Sequence, residues 1–144
     1  MKSPPSINIV IGLGLFAAGS IILYWTLWFL APDLIQARHP GAPGYEIYVH
    51  FEQAFILADG WLALAALIGA IGLWKMRDWG FLFMLLAGGA AIFLGLMDLL
   101  YDLQHTMFVP LTGEAAIELV IVALLLCLGP LMIVLLWRKR GLFF

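Results

Sequence analysis

The stretch MDLLYDLQHTMF, residues 97–108, sets Asp98, Asp102 and His105 about one helical turn apart. Carboxylates and an imidazole at this spacing can move protons, hold a divalent cation or pair with an organic cation. Acids recur in two other places. Glu52 and Asp59 are seven residues apart, which brings them within about 20° of each other on a helix. Glu114 and Glu118 stand one turn apart, and Glu46 and His50 come just before Glu52.

The elements that must position these groups are apolar. The chain has 144 residues, of which 65% are hydrophobic and 11% charged, and its mean hydropathy is +1.07. A soluble domain of this length needs more polar surface than that, so the expected class is an integral membrane protein, all-α. Four stretches are long enough for a bilayer, which takes about 20 helical residues. They cover about 7–31, 51–74, 79–103 and 113–137, and predict a single domain, 1–144, built as an antiparallel four-helix bundle. Gly129-Pro130 is a candidate kink in the last stretch. The first stretch lacks a strongly basic start and is too long for a signal peptide's apolar core, so it reads as a retained helix. The HPGAPG segment, residues 39–44, must be loop. Cys127 is the single cysteine, which excludes an internal disulfide or a dithiol redox pair.

Basic residues give the orientation. Lys2, Lys75, Arg77, Arg138, Lys139 and Arg140 fall on one side of four such spans, and only Arg38 falls on the other. By the positive-inside rule both termini are cytoplasmic, and a bacterial inner membrane is the expected location. Every acid of interest then belongs to the outer half. Asp59 lies deepest, about 12 Å from the start of its span, with Asp98 and Glu118 about 8 Å from their helix ends. A central acid costs about 2.5–3.5 kcal/mol on insertion scales, and such groups usually face the bundle interior or a wet cavity. Glu46, His50, Glu114 and His105 read more simply as solvated helix-end residues, and Glu114 is favoured there by the helix dipole. Asp102 lies between the two cases.

Small residues mark the faces where membrane helices approach closely. Ala87, Ala91 and Gly95 lead along one stripe towards Asp98, Asp102 and His105, and Ala63, Ala66 and Ala70 share the face of Glu52 and Asp59. The expected bundle is tight in its cytoplasmic half and opens into an acidic pocket in its outer half. The first helix offers little chemistry beyond Asn8, Tyr24 and Thr26.

Four functional readings follow. The leading one is a site for a cation or small amphipathic ligand, formed by Glu52, Asp59, Asp98, Asp102 and Glu118, with Tyr101, Trp61 and Phe55 offering ring faces. A divalent metal would use His105, Asp102, Asp98, Glu118 and His50, although no compact ligand signature is present. Asp59, Asp98 and Glu118, assisted by His105, could instead serve a membrane enzyme acting on a lipid-soluble substrate. No specific catalytic residue is identified. Haem held by His50 and His105 is disfavoured by the surrounding acids. Lastly, the cluster could be structural, in an accessory subunit of a homo-oligomer or a larger membrane complex. The bilayer is the expected partner, and nucleic acid is not.

The stretches LADGWLALAALIGAIGL and FLGLMDLLYDLQHTMF resemble those of small, uncharacterised bacterial four-helix membrane proteins. The likeness spans about half the chain and implies no activity. In topology and intramembrane acids the chain is also distantly similar to the sterol isomerase and sigma-2 receptor superfamily. That likeness implies an apolar-ligand pocket and assigns no residue.

Overall fold

A computed structural model describes residues 4–144, so Lys2 lies outside the described residues. The chain forms helices α1 (Pro5–Leu30), α2 (Tyr45–Ala54), α3 (Ile56–Trp74), α4 (Asp78–Gln104) and α5 (Gly113–Trp137). Short 3₁₀ turns occupy Pro32–Leu34 and Arg140–Leu142, and no strand occurs among the described residues. Four helical stretches are long and apolar enough to cross a membrane, with α2 and α3 together making one of them, Tyr45–Trp74.

That second span differs from its sequence reading. It begins at Tyr45 and is interrupted at Phe55, so Glu46 and His50 lie within a helix. The physical reason is local. Gly44, at φ 77°, turns the chain sharply out of the HPGAPG loop. The following ten residues then bury Tyr48 and Glu52, one turn apart on one face.

Backbone geometry closes the other ends. After α3, Met76 takes a left-handed conformation at φ 50°. The N–H of Arg77 reaches back to the Gly72 carbonyl, and that of Met76 to Leu73. This paired closure satisfies carbonyls the helix would otherwise leave open and lets α4 start at once. Thr106, also at φ 50°, plays the corresponding part after α4, with the Met107 N–H bonding to the Asp102 carbonyl. Thr112 caps α5, its hydroxyl accepting from the Ala115 N–H at 3.2 Å. The helix then runs unbroken through Pro130.

Small residues decide where backbones meet. Gly72 and Gly80 touch directly between α3 and α4, and a Cβ on Gly69 would lie 2.8 Å from the Met84 nitrogen. Gly129 of α5 approaches Gly88 of α4, where an added Cβ would stand 2.8 Å from a carbonyl oxygen. Ala18, Ala63, Ala66 and Ala87 form a buried alanine layer between α1, α3 and α4. Towards the end carrying Lys75, Arg77 and Arg138, the interior is filled by Ile7, Leu73, Phe81, Met84 and Leu136. The opposite, acid-bearing end is closed by Trp28, Tyr48, Tyr101 and Met107. The outward surface is strongly apolar: Leu30 is 80% exposed and Leu57 86%. Such a surface calls for a hydrocarbon surround rather than water.

Gly80→Ala should therefore lower the midpoint of thermal unfolding in mild detergent, at a cost of about 1–3 kcal/mol, since the added methyl meets backbone that cannot move aside. Gly89→Ala, where a Cβ meets nothing within 4 Å, should leave the midpoint unchanged or raise it.

Candidate functional site

The acids converge on one cavity between α1, α3, α4 and α5. Glu52, Asp59, Asp98 and Glu118 line its polar end, together with Tyr24. Away from them the walls are apolar, with Phe16 and Ala17 from α1, Leu62 from α3, Ala91 from α4, and Leu125 and Leu128 from α5. The cavity volume is about 90 Å³. Thus α2 and α3 place two acids on one wall, α4 a third and α5 a fourth.

Two acids have donors from α1. The Tyr24 hydroxyl donates to Glu52 Oε2 at 2.8 Å, and the Trp25 indole N–H donates to Asp59 Oδ2 at 2.9 Å. Glu118 differs. It is 3% exposed, it lines the cavity, and its Oε2 has no hydrogen-bond partner among the described residues. Glu52, Asp59, Asp98 and Asp102 all lie close enough for their charges to bear on it. A buried oxygen without a donor costs about 1–3 kcal/mol relative to a satisfied one.

The acid-bearing end is roofed. Tyr101 stacks between Phe51 at 3.8 Å and the His105 ring at 4.0 Å. Arg38 ties the two loops of this end together. Its Nη2 donates to the His105 carbonyl at 2.9 Å, its Nη1 to the Pro43 carbonyl at 2.7 Å, and its Nε approaches Met107 Sδ at 3.1 Å. The Tyr48 hydroxyl accepts the Ala37 N–H at 3.0 Å beneath them. By contrast, the cavity wall includes Phe16 and Ser20, both exposed on the side of α1. Of the contacts among the long helices α1, α3, α4 and α5, that between α1 and α5 is much sparser than those of α3 with α4, α4 with α5 and α1 with α3. The exposed part of the cavity wall thus lies along α1, beside its sparse contact with α5.

Several residues singled out from the sequence lie elsewhere. Asp102 is buried but off the cavity, with its Oδ2 also unpartnered. Tyr101 belongs to the roof, and Trp61 is 45% exposed beside Phe83. The metal shell of His105, Asp102, Asp98, Glu118 and His50 is not assembled: among the described residues no three His, Cys, Asp or Glu side chains come together to hold an ion. His50 is exposed. His105 falls just past the end of α4, so its ring leaves the helical stripe and turns Nδ1 to the Tyr101 carbonyl at 2.9 Å. Glu114 lies 3.8 Å from His39 at the loop surface.

Sequence reading gives α1 little chemistry: it names Tyr24 without a partner and leaves Trp25 between lining a groove and anchoring at the interface. Tyr24 and Trp25 were legible as aromatic residues near a helix end, which suits a headgroup belt. Their depth, level with the acids, was the available signal that they serve as donors. Comparison with known proteins adds no kinship: no family model matches the chain, and no curated protein or solved structure matches it closely enough to count.

Tyr24→Phe and Trp25→Phe should each destabilise the protein by about 1 kcal/mol, the scale of a hydrogen bond between membrane helices. Thr26→Ala removes only an exposed bond to the Ile22 carbonyl and should leave the unfolding midpoint near that of the parent. Equal losses in all three variants would mean that the donors to Glu52 and Asp59 have no special weight.

Proposed function

We propose that this is an integral membrane protein that binds a small amphipathic ligand in the cavity headed by Glu118. The observation that carries the reading is the buried Glu118 carboxyl, aimed into an apolar cavity with one oxygen lacking a donor. Native proteins seldom leave such a group unserved without a functional reason. A polar headgroup would meet the acids while an apolar body lies against Leu62, Leu125 and Leu128. The structural-cluster reading is favoured for Glu52 and Asp59, whose donors come from within the bundle. It accounts less well for Glu118.

The bundle runs antiparallel, with both termini in the cytoplasm, and a bacterial inner membrane is the proposed location. Supporting the first point, Gly72 faces Gly80 while Gly69 faces Met84, and Gly88 faces Gly129 while Gly95 faces Leu125. On each pair the numbering falls on one helix as it rises on the other. Supporting the second, the described basic residues Lys75, Arg77, Arg138, Lys139 and Arg140 share one side, and Arg38 is engaged with loops on the other. In a Cys127→Ser background, Pro40→Cys should react with a membrane-impermeant maleimide in intact cells. Gly141→Cys should react only after permeabilisation. The reverse pattern would invert the topology.

Ligand binding is tested by native mass spectrometry on protein extracted into lipid nanodiscs. The parent chain should retain a stoichiometric small amphiphile, and Glu118→Gln should lose it. If the parent retains nothing and Glu118→Gln changes only the unfolding midpoint, the cluster is structural and the protein is an accessory subunit.

A further inference from the structure

We infer that the ligand is a single-chain lipophilic amine, admitted from the bilayer through the seam between α1 and α5, with its ammonium group set against Glu118. This rests on the reading of the cavity as a ligand site and names the chemistry of its occupant.

The head is identified by the balance of donors and acceptors. An ionised carboxylate only accepts hydrogen bonds, and four carboxyl groups line the polar end. The donors at that end, Tyr24 and Trp25, are already used on Glu52 and Asp59. No Lys, Arg or His lines the cavity among the described residues. Crowded acids can ionise together only beside a positive charge, so a ligand that brings donors and positive charge is the one that complements this end. An ammonium group brings three N–H donors and no acceptor, whereas an alcohol brings a single donor. A carboxylate or phosphate head would meet charges of its own sign, which disfavours it. The rings of Tyr24 and Phe55, also on the wall, offer faces that attract a cation.

The tail is identified by volume and by the mouth. A drug-sized ligand needs about 300–1,000 Å³, whereas this cavity holds about 90 Å³. The head and the first carbons fit inside, and the rest must leave along the wall. Phe16, Ala17, Ala91 and Leu128 line the apolar part of this small space. A linear chain fits such a slot better than a fused-ring body. Access from the loop end is obstructed by the Arg38-tied roof, while Phe16 is 51% exposed on the lipid-facing side. An amphiphile that already partitions into the bilayer reaches the mouth without crossing the roof.

The test uses the full chain in phosphatidylcholine nanodiscs, with dodecylamine, dodecanol and dodecanoate as probes and methylamine as the chainless control. Binding is read from quenching of tryptophan fluorescence and from native mass spectra, and partition into protein-free discs is subtracted. Dodecylamine should bind saturably and at least about tenfold more tightly than dodecanol, a difference of one hydrogen-bonded charge pair. Dodecanoate and methylamine should not compete with it. Glu118→Gln should weaken dodecylamine by about tenfold and leave dodecanol little changed. Leu124→Trp, which places bulk on the α5 side of the seam, should block dodecylamine while the unfolding midpoint holds. If Glu118→Gln fails to fold, the ranking of the probes on the parent chain and the Leu124→Trp result decide the matter. Dodecanol binding as tightly as dodecylamine overturns the amine assignment and leaves the amphiphile site standing. Absence of saturable binding by any probe overturns both.

Discussion

A carboxyl group inside a hydrocarbon-facing bundle has lost its water, and whatever surrounds it must supply donors or opposite charge in return. This chain takes Glu52, Asp102 and Glu118 to near-complete burial, with Asp59 and Asp98 beside them on the cavity. Much of the acid-bearing end is arranged around that demand. Tyr24 and Trp25 turn their polar atoms inward, where a headgroup belt would turn them outward, and their ring bodies pack at a tilt against Trp28 and Phe29. On either side of Phe55, α2 and α3 present Glu52 and Asp59 to the same cavity, as their seven-residue spacing predicts. Arg38 stands apart from that arrangement: its guanidinium bonds to carbonyl oxygens of the loops and holds the roof.

The cavity exists because small residues seal some helix pairs and not others. Between α3 and α4, and between α4 and α5, glycines let the backbones meet. On α1 the pattern fails. Gly14 faces Met84 and the Ala66 carbonyl, so it serves the contacts with α4 and α3, while Gly12 and Gly19 meet nothing within 4 Å. None of these glycines draws α1 against α5. That pair is left to larger side chains, Phe16 and Ile21 on one side and Leu124 and Leu128 on the other, which cannot close a seam as glycines do. The same sequence feature that looks like spare flexibility on α1 thus leaves a slot beside Glu118.

Most of the fold was legible because hydrophobic length is a strong signal in a membrane-type chain. The third and fourth stretches were placed within a residue of their observed ends, 79–103 against Asp78–Gln104 and 113–137 against Gly113–Trp137. The depth of Asp59, Asp98 and Glu118 followed from counting residues along those helices. Three things were not legible, for separable reasons. The start of α2 depends on a glycine conformation and on burial of Tyr48, neither of which a hydropathy window registers. His105 was counted on a helical stripe that stops one residue before it. The role of α1 depends on which way Tyr24 and Trp25 turn, and an aromatic residue near a helix end is compatible with either direction.

What separates a binding site from a polar cluster that merely holds the fold is the order in which its groups are satisfied. In a purely structural cluster, donors should be shared among the most deeply buried acceptors first, since those cost most when left alone. Here the internal donors are divided: Tyr24 serves the buried Glu52. Trp25 serves Asp59, which is only part-buried, while Glu118, at 3% exposure and lining the cavity, keeps one oxygen without a donor. Asp102 shows that the chain tolerates one unpartnered acid oxygen away from the cavity as well, so burial by itself does not mark function. The two differ in position: Glu118 lines a cavity with an apolar continuation, and Asp102 does not. An acceptor left over at the head of an apolar slot is complementary to a donor carried on an apolar chain, and that complementarity sets Glu118 apart from the other buried acids.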